Sequence, residues 1–272
     1  MDKKSLQQVL GFLSTPPLWK HTLFGLSQFD FPKDILITDP AAIPDFPYSI
    51  LGKRMESAFE ALINISADYE VIASNIQIHT NKITVGELDF LLKSISRNQE
   101  YHVELVYKFY VYDPSIKKEL ERWIGPNRKD SLLQKVKKLK EKQFPLLYKH
   151  ETIDYLSAFQ VNPKKLKQEV CFKANLFLPK HLKQLETGEI NTECIAGYWI
   201  HSENFCGEEY EKYSFYSPKK QQWPVHPQYA ENWHSYEVIK KQVDYFIGCK
   251  RSPLLWMKKN ESEFELFFVV WW

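Results

Sequence analysis

ITVGELDFLLKSISRNQEYHVELVYKFYVY, residues 83–112, is the stretch whose reading decides the fold. It consists of two strand-like apolar runs joined by a polar connector. Each run carries charge where a core strand ordinarily has Val or Leu: Asp89 in the first, Glu104 and Lys108 in the second. Side chains two apart on a strand share a face, so Glu87, Asp89 and Leu91 are expected to point one way and Leu88, Phe90 and Leu92 the other. In the second run Glu104, Val106, Lys108 and Tyr110 oppose Val103, Leu105, Tyr107 and Phe109. A sheet holding both strands can gather Asp89, Glu104 and Lys108 on one face. The plainer account is that Glu87 and Asp89 are strand-end acids facing solvent and that Lys108 pairs with Glu104 or Asp89, a contact of little net value.

Upstream, LGKRMESAFEALINIS places Leu51, Met55, Ala58, Phe59 and Leu62 at helical spacing, with Glu56 beside the apolar stripe. A strand near Val71 to His79 follows. The Asn81-Lys82 pair then marks a tight turn into the Asp89 strand, which makes the two antiparallel neighbours. Further out lie an amphipathic helix at Ser5 to Leu13 and a loop running to about Pro47. That loop carries Phe29, Phe31, Ile35, Ile37 and Phe46 and is expected to pack over a surface.

Downstream, a Gly-Pro-Asn turn leads through Arg128, Lys129 and Asp130 into a basic helix over Leu132 to Gln143. Leu132, Leu133, Val136 and Leu139 form its core face. The remainder is mostly lysine, including Lys135, Lys138 and Lys142. Such a surface suits phosphates, although most lysine-rich helix faces are simply solvated. A helix at Thr152 to Phe159, strands at Glu169 to Leu178 and Ala196 to His201, a helix at Ser235 to Phe246 and a closing hairpin around Asn260 complete the pattern. The second half is rich in tryptophan, read chiefly as core filling with base stacking as the alternative.

The 272 residues are 44% hydrophobic and 26% charged with a net charge of +2, enough for one large domain or two small ones and not biased toward disorder. The sign is uneven: Lys117 to Lys142 is basic, Glu186 to Glu211 acidic. No uncharged apolar stretch is long enough for a membrane, and the N-terminal run lacks a small-residue cleavage site, so a cytoplasmic protein is expected. Cys171, Cys194, Cys206 and Cys249 form no CxxC pair and are read as reduced core thiols, not as a zinc site.

The order helix, strand, acid-bearing strand, strand with acid and lysine, basic helix resembles the core of the PD-(D/E)XK, or restriction-endonuclease-like, nuclease superfamily. The corresponding residues are Gly52 to Glu56 on the helix, Gly86-Glu87-Leu88-Asp89-Phe90 on the first strand, and Val103-Glu104 through Lys108 on the second. Over nearly its full length the chain is also similar to a bacterial family known as domain of unknown function 1853. That similarity rests on GELDFLL, VELVYKFYV, the GPN turn with its helix ending in Gln143, NLFLP, GYWI and the closing aromatic strand.

The superfamily resemblance implies an α/β fold: a restriction-endonuclease-like core, with a mixed sheet flanked by helices, over residues 1–160, and a β-rich aromatic region over 161–272. It implies phosphodiester hydrolysis of DNA or RNA with Mg²⁺ or Mn²⁺ held by Asp89, Glu104 and Glu56, and Lys108 as electrostatic stabiliser. Arg128, Lys129, Lys135, Lys138 and Lys142 would track the nucleic acid. The superfamily spaces its acid and lysine two residues apart, roughly 6.6 Å along a strand, whereas Glu104 and Lys108 are four apart, roughly 13 Å. Either Val106 stands in the acid slot, or it replaces the lysine, or a bulge shortens the gap while Glu56 supplies a carboxylate. The alternative is a non-catalytic nucleic-acid-binding or scaffolding protein that keeps the fold.

Overall fold

The computed structural model describes residues 3–32, 35–182, 185 and 188–272; Glu186, where the acidic stretch begins, lies outside them. In chain order the elements begin with α1 (Lys3–Ser14), the short hairpin β1 (Thr22–Leu23) and β2 (Leu26–Ser27), α2 (Leu51–Ile65), β3 (Tyr69–Thr80), β4 (Ile83–Ser94) and β5 (Gln99–Tyr112). There follow β6 (Trp123–Ile124), α3 (Leu132–Lys138), a π-helical segment Leu139–Gln143 that runs into α4 (Phe144–Leu146), α5 (His150–Ala158) and β7 (Lys167–Pro179). The chain ends with β8 (Ile195–His201), α6 (Glu208–Glu211), β9 (Ser214–Tyr216), α7 (Tyr236–Gly248), β10 (Leu254–Lys258) and β11 (Phe264–Val270). This is a mixed α/β fold with parallel and antiparallel strand pairs and flanking helices. It divides into two compact units, one made of the residues up to Phe12, Pro17–Tyr107 and Gln134–Lys173, the other of Leu13–Pro16, Lys108–Leu133 and Ala174–Trp272.

In the first unit β3, β4 and β5 pair antiparallel and β7 neighbours β5. Asn81 and Lys82 both adopt positive φ, 51° and 66°, the left-handed geometry that a two-residue hairpin turn requires. Adjacent strand residues serve opposite faces. On one, Tyr101 of β5 meets Phe29 and Tyr69, while Phe59 of α2 packs on Phe90 of β4 and against Phe12 of α1. On the other, Leu88 and Leu91 of β4 join Ile76, Ile78, Leu146, Leu147 and Leu156 in one buried cluster. Each such fully buried side chain contributes about 1.5–3 kcal/mol.

Leu88 and Leu91 sharing that cluster corrects the expected alternation. A strict two-residue period cannot put both on one face, so the alternation breaks between them. The β3–β4 register stays in step from Ser74–Phe90 to Ile76–Leu88, its shifts falling between Val71 and Ala73 and between Ile78 and His79; Asn75 adopts φ 53° between the two pairs, and the β4–β5 ladder stops at Phe90 and Val103.

In the second unit β7 and β8 run parallel, β8 and β11 run parallel, and β11, β10 and β9 are antiparallel. α7 covers one face through Ile239 and Val243, which pack with Phe205, Phe215, Leu255 and Phe267. Trp256 and Trp199 are buried, as core filling predicts. The run Phe267 to Val270 is fully buried, whereas Trp271 and Trp272 lie beyond the strand and are half-buried. Of the four free cysteines Cys171 and Cys194 are buried, but Cys206 and Cys249 are exposed, so only two are core thiols. Among the described residues no helix is long and apolar enough to cross a membrane.

Candidate functional site

The centre of the site is the point where the β4–β5 ladder ends. In place of the next rung, the Asp89 carboxylate reaches across, and Oδ2 accepts the Leu105 backbone N–H at 2.9 Å. Asp89 is 8% exposed and Glu104 fully buried. The two carboxyl groups lie in hydrogen-bonding contact. Burial raises the pKa of Asp89, the neighbouring charge of Glu104 raises it further, and the Leu105 N–H and Lys135 pull the other way. Burial also raises Glu104, opposed by Lys135, by its bonds to Asp89 and by Lys138. Two buried acids in contact favour a shared proton over two negative charges.

Glu104 faces the basic helix. Gln143 Nε2 donates to Glu104 Oε2, and Gln143 Oε1 accepts from Lys135 Nζ at 2.8 Å. Gln143 closes the π-helical segment, in which the Phe144 N–H reaches five residues back to the Leu139 carbonyl. Pro145 explains the widened turn: it has no N–H for the Glu141 carbonyl and its ring crowds that carbonyl, so a regular α-helical turn is disfavoured there. On the other side of Glu104, Oε1 lies 3.0 Å from His102 Nε2, and His102 Nδ1 lies 3.0 Å from Gln168 Nε2. His102 is fully buried, and that burial holds its pKa down at about 4.

Glu56 belongs to α2. Its Oε2 lies 2.7 Å from Lys53 Nζ, and Lys53 also binds Glu87 and, at 2.9 Å, Asn75 Oδ1. Burial raises the pKa of Glu56; Lys53 opposes this, and the charges of Asp89 and Glu87 add to it. Asp89 thus interacts electrostatically with both other acids, in direct contact with Glu104 and through space with Glu56. Among the described residues no group of three or more His, Cys, Asp or Glu is arranged to hold a metal ion.

Of the residues singled out from the sequence, Asp89 and Glu104 are brought together. Lys108 binds elsewhere: it lies in the second unit, with Nζ 2.5 Å from Asp130 Oδ2. Val106, the residue in doubt, is buried. Arg128, also in the second unit, stacks on Trp272 with its guanidinium carbon 4.3 Å from the ring centroid and pairs with the buried Asp113 at 2.9 Å. Lys129, Lys138 and Lys142 are exposed, while Lys135 is half-buried on Gln143.

Sequence reasoning missed His102, Gln168 and Lys53. The signals were slight: His102 lies two residues before Glu104 and so shares its strand face, and Lys53 stands three before Glu56 on one helix face.

No curated protein and no solved structure matches this chain. A family model described as domain of unknown function, DUF1853, matches residues 26–265, which include every site residue above. The chain therefore belongs to the DUF1853 family.

Proposed function

We propose that the first unit carries a nuclease-like phosphodiesterase site built on the superfamily core, acting on DNA or RNA with Mg²⁺ or Mn²⁺. The observation that carries this reading is the contact between the buried carboxyl groups of Asp89 and Glu104. A donor set of two adjacent carboxylates suits a hard divalent cation, whose charge relieves the repulsion that otherwise requires a shared proton. Asp89 and Glu104 would hold the ion, and Glu56, which acts on Asp89 through space, would add negative charge beside it. Bound there, it would activate water and neutralise charge developing at phosphorus. Lys108 is committed to Asp130, so the cationic role passes to Lys53 or Lys135, and the exposed Lys138 and Lys142 would meet the phosphate backbone.

One observation favours the second reading, a non-catalytic nucleic-acid-binding protein. Glu104 is fully buried and both its oxygens are already engaged, by His102 and Gln143. Mn²⁺ titration followed by electron paramagnetic resonance separates the two. The catalytic reading expects wild type to take up the ion and Asp89→Ala to lose it, together with divalent-dependent cleavage of labelled oligonucleotides. Equal Mn²⁺ signals from the two proteins, alongside salt-sensitive oligonucleotide binding, would leave the binding protein standing.

A further inference from the structure

Glu104 is held by two side chains, His102 and Gln143, and each has its donor direction fixed by a further partner. On the His102 side, Gln168 Nε2 lies 2.8 Å from the Phe144 carbonyl oxygen and 3.0 Å from His102 Nδ1. A backbone carbonyl only accepts, so the Gln168 amide must present its NH₂ group to it; the reversed amide would set oxygen against oxygen. The second hydrogen of that NH₂ then points at Nδ1, which must accept. A neutral imidazole has one proton, which is left on Nε2 and directed at Glu104 Oε1, 3.0 Å away.

We infer that His102 is a positioning residue for Glu104, held by Gln168 as its Nε2–H tautomer so that it fixes the Glu104 carboxylate against Asp89. The geometry is closed on every side: His102 and Glu104 are fully buried, His102 also packs edge-on to Phe144 with ring centroids 5.8 Å apart, and Gln143, oriented by Lys135, anchors the other oxygen. Asp89, on β4, and the six residues around it all belong to the first unit. Strand β5 supplies His102 and Glu104, β7 supplies Gln168, and the helix over 132–146 supplies the remainder. The role at a cation site rests on the function proposed above; the tautomer does not.

Two measurements test this. Long-range ¹H–¹⁵N NMR of histidine-labelled full-length protein is expected to show His102 with Nε2 protonated and Nδ1 bare at neutral pH, and Gln168→Leu to convert it to a mixture of tautomers. Protonated Nδ1 in wild type, or no change in Gln168→Leu, would overturn the assignment. In Mn²⁺ titrations Gln168→Leu and His102→Phe are expected to bind about 10–100-fold more weakly, the usual loss when the partner of a ligand is removed. His102→Gln, which keeps a donor for Glu104, is expected to recover most of that loss. Unchanged affinity in Gln168→Leu and His102→Phe, with binding lost in Asp89→Ala, would sink the positioning role and keep the metal site. A wild type that takes up no Mn²⁺ would sink the metal site, and the tautomer result would still decide the positioning of Glu104.

Discussion

Asp89 Oδ2 accepts the Leu105 N–H at 2.9 Å, so a side chain on β4 makes the bond to β5 that the backbone ladder no longer makes. That substitution holds the strands together where they part and keeps a carboxylate buried beside Glu104. Its cost is electrostatic, and it gives the first prediction a sign.

Asp89 and Glu104 have folded pKa values raised to about 7, above their unfolded values. Between the two ranges the folded pair binds more protons than it does in the unfolded chain, so its contribution to stability is greatest below the ordinary carboxylate range and declines as pH rises toward about 7, while His102, held down at about 4, works in the opposite sense between about 4 and its ordinary 6.5. For each carboxyl group, a folded pKa one higher than the unfolded value corresponds to roughly 1.4 kcal/mol. Thermal melts in chelator are expected to show the midpoint falling between about pH 6.5 and pH 8, above the range in which His102 opposes the pair, and Asp89→Asn, which keeps an acceptor for Leu105 without the charge, should flatten the curve. A wild-type midpoint that rises through this window would contradict the assignment.

Lys108 pairs with Asp130 at the half-exposed surface of the second unit. Exposed and half-exposed pairs contribute about 0–1 kcal/mol. Lys108→Ala is therefore expected to shift chemical denaturation by less than about 1 kcal/mol and to leave Mn²⁺ affinity unchanged. Lys53→Met should alter Mn²⁺ affinity, because it removes the partner of both Glu56 and Glu87.

A methyl group added at Gly86 would lie 2.6 Å from Leu146 Cδ2, closer than carbon atoms approach. Gly86→Ala is expected to cost about 1–3 kcal/mol in urea unfolding, the usual range for overpacking. Trimming the opposing side chain should restore room, so the double variant with Leu146→Ala should be less than additive. Strict additivity would mean that the two residues do not meet.

Arg128 is committed to Trp272 and Asp113, while Lys138 and Lys142 are solvated. In fluorescence anisotropy over a salt series, Lys138→Ala with Lys142→Ala is expected to reduce the slope of log affinity against log salt by about 1 for every phosphate the lysines had neutralised. Arg128→Ala should instead lower the melting temperature with little change in that slope.

The sequence by itself determined the strand pair of residues 83–112, the Asn81-Lys82 turn, the amphipathic face of α2 and the basic helix, because local periodicity and turn chemistry encode each of them, and its motifs carried the resemblance to the family. It also singled out Asp89 and Glu104, since charge inside an apolar strand is conspicuous. What only the tertiary structure decided is which neighbour each charge meets. Lys108 lies four residues from Glu104 yet binds Asp130; Glu104 is met by His102, by Gln143 through a π-helical turn and, through His102, by Gln168. Asp89 sits where the alternation slips, a defect at which Asn75 adopts positive φ, and a two-residue period read along the chain has no means of registering it. Pairing between residues far apart in sequence depends on where helices and strands come to rest against each other, which no local pattern specifies.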